Sequence, residues 1–188
     1  MRLVLFLTAA LLLNPAAGGA ADERVFPVLD YHEALVVPAT SPVSFKGFAA
    51  PLDAAFTGRF VLTGVFTYGC QWDCEGAVRP SEFVFYVIPD PALAAQFPHW
   101  THTHNDVRVA ISDAEPFLRS HITPEQRAAL ASGKLPLVTG RAAIVVDQFH
   151  TSVECGTVFW SARFVAMASP LKVEPIRIAG DFGCGGRG

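Results

Sequence analysis

Residues 112–133 read SDAEPFLRSHITPEQRAALASG, and their reading decides the fold, because they carry the one strong helical signal in a chain otherwise written for strands. Ser112 and Glu115 stand at the spacing of a capping box with Pro116 behind them, and Thr123 and Gln126 repeat the arrangement around Pro124. Gly133 is placed to end the segment in a left-handed turn. The expectation is a helix–turn–helix pair, or one kinked helix, from about Asp113 to Ser132.

Three strands are expected before this segment. In residues 59–68 (RFVLTGVFTY), Phe60, Leu62, Phe66 and Tyr68 share a face, and Gly64 marks a bulge or sharp bend. Residues 82–88 (EFVFYVI) are apolar on both faces, which predicts a central, buried strand. Asp90 and Pro91 suit the start of a short helix reaching about Phe97. The polar run HWTHTHND (99–106) reads as a loop, and Val107, Val109 and Ile111 alternate with Arg108 and Ala110 as in a half-buried strand.

Two strands follow the helical segment, about Leu135 to Gln148 and about Thr157 to Met167. In the second, Val158, Trp160, Ala162, Phe164 and Ala166 share a face. Residues 173–178 suggest a short edge strand. The order β-β-β-α-β-β predicts a mainly β domain with one or two helices (β or α+β). It resembles the OB-fold, a small five-stranded barrel with its helix between strands three and four. Residues 51–188 are assigned to this single domain. Residues 21–50 are assigned to an extended N-terminal arm whose apolar pieces are interrupted by Pro27, Pro38 and Pro42, as suits edge strands or cover.

Residues 1–20 read as an export signal. Arg2 supplies the positive start, Leu3 to Leu13 an apolar run too short to span a bilayer, and Ala16 to Ala21 the small residues of a cleavage site. Phe, Val and Thr favour strands, and Phe occurs 15 times in the 188 residues. With 51% hydrophobic and 16% charged residues, the chain can bury a sizeable core. The formal net charge of -3 and the scattered Arg and Lys (Lys46, Lys134 and Lys172) argue against nucleic acid as a partner. No later stretch is apolar enough for a membrane span. The expected location is the periplasm or the medium.

Four cysteines, Cys70, Cys74, Cys155 and Cys184, fit a pair of disulfides in an exported chain. Three connectivities are open, and Cys70–Cys74 with Cys155–Cys184 is favoured: the first closes a short loop, the second ties down the Gly-rich tail. Cys70-x-x-x-Cys74 also resembles the motif of Sco-type copper chaperones, which would imply a thioredoxin-like copper or redox protein. It lacks the proline of that family, and Pro80 leaves no room for the helix that should follow.

Chemistry is sparse. His99, His102 and His104 are the only dense group of metal-capable side chains, with Asp106 as an orienting neighbour. They carry the alternative reading, a periplasmic protein that binds copper or zinc. His150, Cys155 and Asp147 can be drawn as a nucleophile set, although an oxidised Cys155 would disable it. Trp72 and Trp100 are assigned to loops, as anchors for a sugar or protein or as plugs for one end of the barrel. The leading expectation is an exported, soluble, non-catalytic binding or accessory module without a cofactor. Its partner would be a glycan or a protein of the cell envelope. A hydrolase with an unidentified site is the third reading.

Overall fold

The computed structural model describes residues 22–70, 83–103, 105–135 and 137–168. The chain is mainly β, with short helices. The N-terminal segment forms β1 (Arg24–Val28), β2 (Glu33–Val37) and β3 (Ser44–Ala50), followed by β4 (Asp53–Thr57) and β5 (Phe60–Cys70). Then come β6 (Phe83–Pro89), the single turn α1 (Pro91–Ala94), β7 (His99–Trp100) and β8 (Val109–Ser112). Helices α2 (Glu115–His121) and α3 (Pro124–Ala131) precede the long β9 (Leu137–Glu154) and β10 (Thr157–Met167).

Five of these strands pair in a barrel-like ring. β5 is antiparallel to β6, and β6 to β8. β8 runs parallel to β10, which turns back antiparallel on β9, and β9 returns antiparallel to β5. Alternation then sorts the side chains. Phe60, Leu62, Phe66, Phe85, Val87, Val109, Ile144, Val146, Val158 and Trp160 are buried inside. Two aromatic clusters pack within the core. Phe117 of α2 meets Phe66 edge-on at 5.3 Å and Phe85 at 5.0 Å between ring centroids. Elsewhere Phe149 gathers Phe56, Phe60 and Phe97 at 5.0–6.0 Å. Such tilted and edge-to-face pairs are the preferred aromatic geometry.

Residues 24–50 form paired strands that join the core. β1 and β2 pair as a hairpin, β2 also takes β7, and β3 reaches β9 through β4. Leu35, Val37 and Val43 belong to the main core. β9 serves three partners because it bends. Gln148 has a positive φ of 50°, and the register with β10 slips between His150–Ser161 and Asp147–Arg163.

Several local expectations need correction. The second capping box forms, with the Gln126 amide donating to Thr123 Oγ1 at 3.2 Å and the Thr123 amide donating to Gln126 Oε1 at 2.9 Å. The first does not. Ser112 is still in β8 opposite Arg163, Asp113 turns the chain at φ 57°, and Ala114 becomes the N-cap. Asp90 makes no side-chain cap; its carboxylate pairs with Arg141 at 2.9 Å instead. Gly64 marks a close approach: a Cβ there would sit 2.0 Å from the Ile88 carbonyl oxygen. β6 is buried on one face only, for Val84 and Tyr86 are half-exposed and Ile88 is 38% exposed on the other. Residues 173–178 lie outside the described residues.

Candidate functional site

The histidine run is organised by a carboxylate from the N-terminal segment. Glu33 Oε1 accepts from the Thr103 hydroxyl at 2.8 Å, and Oε2 accepts from the Thr101 hydroxyl and the His102 amide, both at 3.1 Å. Burial pushes the Glu33 carboxyl up, but the hydrogen bonds from Thr103, His102 and Thr101 outweigh it and hold the group below its ordinary range. His99 lies in β7 opposite Val36, half-buried. The exposed His102 ring places Nδ1 3.0 Å from Thr101 Oγ1 and 3.7 Å from Glu33 Oε2. His104 lies outside the described residues. Among the described residues, no three His, Cys, Asp or Glu side chains gather as metal ligands.

Of the two roles read for Trp100, anchor or plug, the structure places it as a buried residue of the core. It is fully buried and its indole N–H donates to Thr151 Oγ1 at 3.2 Å. It plugs the core and offers no face to a ligand. The sequence made it look like a loop residue because β7 is only two residues long, too short for any periodicity. Trp160 is also in the core, with its N–H directed at the Pro98 carbonyl at 3.4 Å.

Trp72, Cys74 and Cys184 lie outside the described residues, and with them the expected Cys70–Cys74 pairing; the expected Cys155–Cys184 pairing is not formed, since Cys155 is free. Cys70 ends β5. Cys155 is an exposed free thiol in the two-residue turn between β9 and β10, where it and Gly156 both have positive φ, 49° and 75°. Asp147 is not available to His150. Arg163 holds it with two hydrogen bonds of 2.9 and 3.0 Å, Arg59 adds a third at 3.5 Å, and these cations keep its carboxyl below the usual range. His150 instead has Nδ1 3.5 Å from Asp53 Oδ1 and stands opposite Ser161 in the β9–β10 ladder.

The outer face of the ring holds a cleft of about 360 Å³ that the sequence did not suggest. Its floor is one row: Ser161 of β10 pairs with Ala110 of β8, which pairs with Tyr86 of β6. Phe159, 43% exposed, stands on one side of this row, and Asp106 and Arg108 line it from the extended segment before β8. Asn105 of the same segment is already committed. It donates to the Val158 carbonyl at 3.0 Å and accepts from the Val158 amide at 3.1 Å, which locks the segment onto β10. The only sequence trace of the cleft is that Phe159, Ser161, Arg108 and Ala110 alternate with buried residues.

No protein-family model matches the chain, and neither a curated protein nor a solved structure matches it.

Proposed function

We propose that the chain is an exported binding module that takes a glycan or a protein segment into the cleft on β6, β8 and β10. The observation that carries this reading is the combination of an exposed aromatic wall, Phe159, with the polar side chains of Asp106, Arg108 and Ser161 lining one cleft. In ring order the five strands run first, second, third, fifth, fourth, and the helical pair comes between third and fourth. That arrangement supports an OB-like barrel, whose second and third strands are the usual ligand face. The cleft occupies that face, since β6 and β8 are the second and third strands. Export rests on the first twenty residues, whose charge, apolar run and small-residue end suit a signal peptide.

Photo-crosslinking tests the reading. A benzophenone amino acid is placed at position 159 and, as a control, at Val61, which is equally exposed on β5 but away from the cleft. Irradiation in the cell envelope should give discrete adducts at 159 alone. Equal labelling at both positions, or none at 159, would refute the cleft as the binding face.

A further inference from the structure

We infer that the cleft reads an uncharged, hydroxyl-rich oligosaccharide through Asp106 and Arg108 together, an inference that rests on the cleft being the binding face. Asp106 and Arg108 stand two residues apart in the segment that leads into β8. Both line the cleft and both are exposed, yet they form no ion pair with each other. Neither has a partner elsewhere among the described residues. By contrast, Arg59, Arg119, Arg127, Arg141 and Arg163 each hold a carboxylate. An opposite pair left open beside a cleft asks for a ligand that donates to Asp106 and accepts from Arg108. A sugar hydroxyl does both. An anionic ligand would satisfy Arg108 but place its charge against Asp106.

The surroundings favour a sugar over a peptide. Along the row Ser161–Ala110–Tyr86 each strand is paired on both sides, so no backbone edge is open there for strand addition. Recognition falls to side chains. Phe159 and Arg108 are neighbours on the outer face, since the residues after them, Trp160 and Val109, are register partners. The phenyl ring offers an apolar face to the C–H face of a pyranose. The row Ser161–Ala110–Tyr86 crosses three strands, and two spacings of about 4.8 Å make it about 10 Å long, room for a short saccharide.

The test is isothermal titration of the mature protein with neutral hexamers (cellohexaose, mannohexaose, N-acetylated chitohexaose) and with anionic ones (oligogalacturonate, oligomannuronate). At least one neutral hexamer should bind, and Asp106→Ala, Arg108→Ala and Phe159→Ala should each weaken it at least tenfold while keeping the wild-type melting curve. Preference for a uronate, abolished by Arg108→Ala, would leave the cleft as the binding face and overturn the neutral-sugar inference. Neutral binding untouched by Asp106→Ala and Arg108→Ala would also overturn it. No heat with any hexamer would remove both the inference and the glycan half of the functional reading.

Discussion

Replacing Glu33 with Ala should loosen the link between the N-terminal segment and the 99–103 run. The carboxylate is 9% exposed and accepts three hydrogen bonds, at 2.8, 3.1 and 3.1 Å. A hydrogen bond to a charged group contributes about 1.5–3 kcal/mol, but such bonds are not additive when the groups share one acceptor. Thr101 and Thr103 are half-buried and His102 is exposed, so the released donors regain water. The net loss is then about 2–4 kcal/mol at neutral pH. Urea unfolding should report it as a lower midpoint with an unchanged slope. The sign of the pH dependence follows from the depressed carboxyl. Its contribution is complete above the ordinary glutamate range and is lost as pH falls through the folded-state value. Wild type and variant should therefore converge in acid. A loss under about 0.5 kcal/mol, or a difference that stays constant into acid, would refute the reasoning. The run would then be held by the β2–β7 ladder alone.

Other perturbations follow from the same geometry. Gly64→Ala drives a Cβ into the Ile88 backbone, which cannot yield without breaking the β5–β6 ladder; a loss of about 3 kcal/mol or more, or failure to fold, is expected in thermal melts. Trp100→Phe keeps the ring but strands Thr151 beside a missing donor, which should cost about 1–3 kcal/mol and leave cleft binding unchanged; lost binding in a folded variant would return Trp100 to the site. Native mass spectrometry of the mature protein, purified without chelator, should show no copper or zinc adduct, because His102 is engaged with Thr101 and Glu33. A stoichiometric metal adduct that disappears in His102→Ala would restore the metal reading.

Much of the ring was legible because its strands alternate cleanly and the helical segment carries its own punctuation. β10 has the expected bounds, Thr157–Met167, and Thr123 with Gln126 makes the expected cap. Short elements were not legible. β7 is two residues, and β4 (DAAFT) has little of the β-branched and aromatic content that marks a strand; both form because neighbours complete them. Gly64 was read as a bend, since a sequence cannot say that a strand 25 residues away will press against it. Glu33 was passed over because its donors lie 68–70 residues on. The cleft was hidden for a related reason. Tyr86, Ala110 and Ser161 lie on three separated strands and look like ordinary outward positions until the parallel β8–β10 pairing sets them in one row.

The central claim is that ligand is read on the β6–β8–β10 face. Amide chemical-shift mapping of the ¹⁵N-labelled mature protein, titrated with soluble envelope polysaccharide fragments, tests it most directly. The account predicts saturable shifts centred on Arg108, Ala110, Phe159 and Ser161. Shifts confined to the His99–Thr103 run or to the exposed Leu29–Tyr31 turn would contradict it.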